Sequence, residues 1–119
     1  MSHKILIVDD EEGTRESLKL ILSDHYEMIL TDSSAQALDI LDKDKSIRLV
    51  LLDIKMPQVN GLDTLKIIQE KYPAINTIMV TGYKSVEAAS EASKLGACDY
   101  VVKPFKSDEI LAKVKKCLE

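Results

Sequence analysis

Ile5-Leu6-Ile7-Val8-Asp9-Asp10-Glu11-Glu12 sets a short apolar run directly against four carboxylates. A run of that length, rich in β-branched residues and closed by charge, reads as a strand. The pattern returns three times: Leu49-Val50-Leu51-Leu52 before Asp53, Ile78-Met79-Val80 before Thr81, and Tyr100-Val101-Val102 before Lys103. In one open parallel sheet all four carboxyl ends would lie along a single edge, where ligands of α/β proteins bind. Residues far apart in the chain would then share one site.

The residue types at those ends suggest a chemistry. Hard divalent cations such as Mg²⁺ take oxygen ligands, keep several waters, and are held by one or two carboxylates together with phosphate oxygens. Asp9, Asp10 and Asp53 can supply the carboxylates. A carboxylate can also attack phosphorus and form an aspartyl phosphate. Asp53, at the end of the most continuously apolar run, is the best candidate. Phosphoryl transfer further asks for cations and donors placed in advance, and Lys103 offers a point charge and Thr81 a hydroxyl. Taken singly, each has a plain structural reading: an Asp after a strand caps or turns, and Asp9 to Glu12 favour the positive end of a following helix. Taken jointly, carboxylate, hydroxyl and ammonium at three strand ends around the carboxylate of a fourth point to a built site.

Strand and helix alternate throughout. Strands are expected near 4–8, 27–31, 48–53, 75–80 and 99–102, and helices near 13–23, 34–43, 62–71, 85–95 and 107–118. Apolar residues recur at helical spacing in Leu18, Ile21 and Leu22, in Ala37, Leu38 and Leu41, and in Leu65, Ile68 and Tyr72. Ser107 before Asp108-Glu109 reads as an N-cap with acids in the first turn. Such alternation argues for right-handed βαβ crossovers and a parallel sheet. Asn60-Gly61 reads as the turn into the third helix, and Gly96 as the positive-φ end of the fourth. Gly82, beside Thr81, leaves room for an incoming group.

The segments Ile5 to Glu11, Leu51-Leu52-Asp53-Ile54-Lys55-Met56-Pro57 with Asn60-Gly61-Leu62, Val80-Thr81-Gly82-Tyr83, and Gly96 to Phe105 together resemble the receiver domain of two-component response regulators. The resemblance runs from Lys4 to about Leu118. It implies a flavodoxin-like (βα)5 doubly wound sheet in the order 2-1-3-4-5. It implies that Asp53 accepts a phosphoryl group from a sensor histidine kinase or phosphotransfer protein, and that Asp9, Asp10, Asp53 and the Lys55 carbonyl organise Mg²⁺. Thr81 and Lys103 would contact the phosphoryl oxygens, and Tyr100 would be the aromatic switch residue. The fourth helix, fifth strand and fifth helix would then form a dimer or effector surface. It also implies a cis Lys103-Pro104 bond. Such a domain is a phosphoacceptor catalysing its own phosphorylation and dephosphorylation rather than an enzyme acting on a separate substrate. Thr81-Gly82-Tyr83 with Ser85-Val86-Glu87 and Lys94 to Ala97 is similar to receivers that precede ATPase-type transcriptional activators. The alternative is a Mg²⁺-dependent phosphohydrolase working through an aspartyl phosphate, but such enzymes place the nucleophile in a DxD motif after the first strand, and here Ile54 and Lys55 follow Asp53. A flavin-binding module would need a Ser/Thr/Gly phosphate loop where this chain has Asp9 to Glu12.

Length and composition agree with one α/β domain spanning 1–119. The 119 residues are 45% apolar, enough for a core without staples. A net charge of −4 provides no global basic field to draw nucleic acid or anionic lipid. Cys98 and Cys117 lack metal-pair or CxxC spacing and read as reduced thiols, and His3 and His25 lack partners at ligand spacing. No apolar stretch approaches the ~20 residues a membrane span requires. The expected location is the cytoplasm.

Overall fold

A computed structural model describes residues 3–55 and 60–119. Met56-Pro57 of the family-like motif lie outside the described residues. The elements run β1 (Lys4–Val8), α1 (Glu12–Leu22), β2 (Glu27–Thr31), α2 (Ser34–Lys43), β3 (Ile47–Leu52), α3 (Gly61–Lys71), β4 (Asn76–Thr81), α4 (Val86–Lys94), β5 (Asp99–Val102) and α5 (Ser107–Leu118). The five strands pair in parallel in the order β2-β1-β3-β4-β5, as expected.

Alternation along each strand divides the core in two. Leu6, Val8, Val50, Leu52 and Met79 face Ala37, Leu41, Leu65, Ile68, Ala88 and Ala92 of α2, α3 and α4. Ile5, Ile7, Leu49, Leu51, Ile78 and Val80 face Leu18 and Leu22 of α1 and Ile110, Val114 and Cys117 of α5. Covering both faces is what demands continuous apolar runs in the central strands. It also leaves the carboxyl edge as the place where polar groups can emerge.

Register then sets the site. Val8 pairs with both Thr31 and Leu52, and the ladder continues one residue further. The Asp9 N–H donates to the Thr31 carbonyl at 3.1 Å, and the Asp53 N–H to the Val8 carbonyl at 3.1 Å. Both backbones are therefore held by the sheet.

Ser33, Asn60 and Ser85 cap α2, α3 and α4 through their side chains. Gly96 has φ 102° and ends the turn after α4, with the Ala97 N–H returning to the Ala92 carbonyl at 2.9 Å. Lys103-Pro104 is cis. Two expectations are corrected. Ser107 is not the cap of α5: the Ile110 N–H already closes on the Lys106 carbonyl at 3.1 Å, so Ser107 is the first helical residue and Lys106 occupies the cap without a side-chain bond. Cys98 and Cys117 are not separate thiols but a disulfide. Cys117 shares the inward face of α5 with Ile110 and Val114, and packing that face on β5 brings the two Cα atoms to 6.1 Å, within disulfide range.

Candidate functional site

The ends of β1, β3 and β5 converge on one ammonium. Lys103 Nζ lies 2.8 Å from Asp9 Oδ2, 2.7 Å from Glu11 Oε1 and 3.1 Å from Asp53 Oδ2. Asp9 and Asp53 are buried, while Glu11 is exposed. Main-chain donors hold the remaining carboxylate oxygens: Glu11 N–H to Asp9 Oδ1 at 2.9 Å and Lys55 N–H to Asp53 Oδ1 at 3.2 Å. The Arg15 guanidinium donates to the Asp9 carbonyl at 2.8 Å and pins α1 to the end of β1.

These contacts shift the ionisation of the groups. Burial raises the Asp9 carboxyl above its ordinary value, with the Lys103 ammonium and the Glu11 N–H opposing. The hydrogen bond from Lys103 lowers Glu11. Burial alone would lower Lys103, but the surrounding carboxylates raise it, so it stays charged.

Asp10 is exposed and outside the lysine cluster, yet one of its carboxylate oxygens lies within 4.8 Å of those of Asp9 and Asp53. This all-oxygen donor set, with one exposed member, suits a hard cation of the Mg²⁺ type that keeps part of its water shell. Thr81 is buried at the end of β4, and its Oγ1 accepts from the Tyr83 N–H at 3.1 Å. Among the described residues no hydrogen bond joins it to the acid–lysine cluster. The Tyr100 hydroxyl donates to the Tyr83 carbonyl at 2.5 Å. Thr81 and Tyr100 thus grip the same residue from its two sides. Burial, then the charge of Asp53, raises the Tyr100 hydroxyl above its ordinary value. The Lys55 ammonium sits 4.7 Å above the Tyr83 ring, so these two side chains meet each other.

Two residues carry roles in the site that the sequence reading does not assign to them. Glu11 occupies the N-cap of α1 but makes no capping bond; glutamate is not a favoured cap, and that misfit was the available signal. Gly61 is needed for close approach rather than turn geometry: its N–H bonds the Ile54 carbonyl at 2.8 Å, and a Cβ there would lie 2.0 Å from the Asp53 carbonyl oxygen. A cleft of about 450 Å³ opens beside Lys103, between α1 and the loop entering α5, with Glu11, Thr14, Gly82, Pro104 and Phe105 on its walls.

Residues 5–115 match the response regulator receiver domain family. The chain belongs to that family. The receiver is 39% identical over 119 residues to sporulation initiation phosphotransferase F of Bacillus subtilis, covering 99% of this chain and 95% of that protein. It is 39% identical over 115 residues to the transcriptional regulatory protein ZraR of Escherichia coli K12, covering 96% of this chain but 26% of the relative. The chain likewise spans about a quarter of response regulator protein FleR of Pseudomonas aeruginosa, 37% identical over 113 residues that cover 93% of this chain and 24% of that protein. Among solved structures, a CheY-like receiver domain protein from Methanospirillum hungatei superposes with a TM-score of 0.93 at 33% identity, covering 99% of this chain and 94% of that one. As a receiver, this chain is a phosphorylation-activated signalling switch. Receivers in general interact with histidine kinases or phosphotransfer proteins and bind Mg²⁺ at an acidic pocket; in this chain Asp9, Asp10 and Asp53 bring their carboxylates together.

Proposed function

We propose that Asp53 is the phosphoacceptor, Lys103 and Thr81 the groups that contact the phosphoryl oxygens, and Asp9, Asp10, Asp53 and the Lys55 carbonyl the ligands of Mg²⁺. The observation carrying this reading is the Asp53 carboxylate itself. It is buried, held on the sheet ladder, and shares one ammonium with Asp9. An Asp53 carboxylate oxygen attacks the phosphorus of a phosphohistidine. As the O–P bond forms, the N–P bond breaks and its electron pair returns to the imidazole. Mg²⁺, when bound, offsets negative charge on the phosphoryl oxygens. Lys103 remains charged and donates to one of those oxygens, and the Thr81 hydroxyl donates to another once it swings toward the new dianion.

Thr81 and Tyr100 both hold Tyr83, one through its N–H and the other through its carbonyl, so displacement of Thr81 is transmitted to Tyr100 on β5 through the backbone of one residue. That route changes the α4–β5–α5 face, which would serve as the dimer or effector surface. Lys55 stacked on Tyr83 would border the path of water to the aspartyl phosphate and prolong its life. Neither side chain is a carboxylate or carboxamide able to orient water. The whole segment 1–119 acts as one receiver domain, located in the cytoplasm, with no direct contact to nucleic acid. Among the described residues no helix is long and apolar enough to cross a membrane.

The test is incubation with Mg²⁺ and acetyl phosphate, followed by mass spectrometry. One phosphoryl group should appear on wild type and none on Asp53→Asn. Equal labelling of the variant removes Asp53 from the role, and steady turnover of a small phosphomonoester would favour a phosphohydrolase instead.

A further inference from the structure

An ammonium has three N–H donors and no acceptor, and Lys103 commits all three to Asp9, Glu11 and Asp53. Under the reading above, on which this inference rests, the same ammonium must donate to a phosphoryl oxygen. One bond has to open. Asp9 is buried and tied through its other oxygen to the Glu11 N–H. Asp53 is the acceptor itself. Glu11 differs from both: its side chain is 62% exposed, it caps nothing, and it is held by Lys103. A carboxylate that water can solvate gives up an ion pair at low cost.

We propose that Glu11 is a positioning residue for Lys103. It draws the ammonium toward the α1 side of the pocket and releases it as the phosphoryl group arrives, which sets the rate of phosphoryl uptake. Its charge acts in the same direction. Glu11 stands on the wall of the cleft beside Lys103, and phosphodonors are anions, so the carboxylate opposes their approach as well as competing for the ammonium.

Glu11→Gln keeps the side-chain shape and removes the charge. With acetyl phosphate and saturating Mg²⁺, the variant should be phosphorylated roughly threefold to fivefold faster than wild type, the range an exposed ion pair allows. The ratio should fall toward one as salt screens the pair. A second measurement needs no metal: in Mg²⁺-free protein, exchange of the Lys103 ammonium protons with water, followed by NMR, should quicken in Glu11→Gln. If wild type is phosphorylated on Asp53 and Glu11→Gln is no faster, the inference is overturned while the parent reading stands. Unchanged ammonium exchange also overturns it. If wild type takes up no phosphoryl group, both fall.

Discussion

Lys103→Met removes one ammonium and keeps most of the stem. Asp9 and Asp53, with side chains 3% and 4% exposed, each lose a partner. Each is left with one main-chain donor, at 2.9 Å and 3.2 Å respectively. Glu11 loses its partner too, but water replaces it there with little loss. Breaking a buried pair by deleting one member costs about 3–5 kcal/mol, because the surviving charge stays desolvated. Here the pocket opens to water at Asp10 and Lys103 is itself 14% exposed. The lower end, about 3 kcal/mol at pH 7, is therefore expected, or roughly 10 °C in Tm for a chain of this size. The pH dependence has a definite sign. Asp9 is already raised by burial, and losing the ammonium raises it further. A carboxyl whose folded value lies above its unfolded value binds a proton more tightly when folded, so stability falls as pH rises through that window. The gap between wild type and Lys103→Met should thus be small near pH 4 and widen toward pH 7. Urea unfolding of both proteins in Mg²⁺-free buffer across that range measures it, and added Mg²⁺ should narrow the gap by again setting a cation against the two carboxylates. A loss below about 1 kcal/mol that does not change with pH would refute the view that these buried carboxylates depend on Lys103.

Asp10→Ala should keep the fold and lose most of the stabilisation by Mg²⁺, because Asp10 contributes to the acidic pocket from an exposed position outside the lysine cluster; equal Mg²⁺-induced shifts in Tm for wild type and variant would count against a metal role. Gly61→Ala places a Cβ 2.0 Å from the Asp53 carbonyl oxygen and 2.7 Å from the Ile54 Cα, and since backbone must move, a loss of about 2 kcal/mol or more is expected with slower phosphorylation. Wild-type stability and labelling in that variant would show that the β3–α3 turn has slack. Reducing Cys98–Cys117, which closes a loop of sequence separation 19, should cost about 3 kcal/mol; an unchanged urea midpoint with and without dithiothreitol would contradict it.

Where the strands end, and which chemistry stands at each end, can be read from the residues in order. That was legible because a parallel strand covered on both faces tolerates almost no polar residue, so Asp9, Asp53 and Lys103 mark the points where the chain leaves the core, and Thr81 closes the fourth run in the same way. Strand order came from resemblance rather than from the pattern, since periodicity records burial and not neighbours. The contacts themselves arise only when the elements pack. Register beside β1 sets Asp53 next to Asp9, and β5 delivers Lys103 between them with a third carboxylate from the start of α1. Cys98 and Cys117 read as unrelated thiols because 19 positions separate them, and only the packing of α5 on β5 brings them together. Gly61 read as a turn residue, and its need for close approach appears only when α3 packs against the end of β3. Local sequence governs burial and dihedral preference one residue at a time, whereas a site depends on distances of a few ångströms between strands that are remote in the chain, and those are set by crossovers and register.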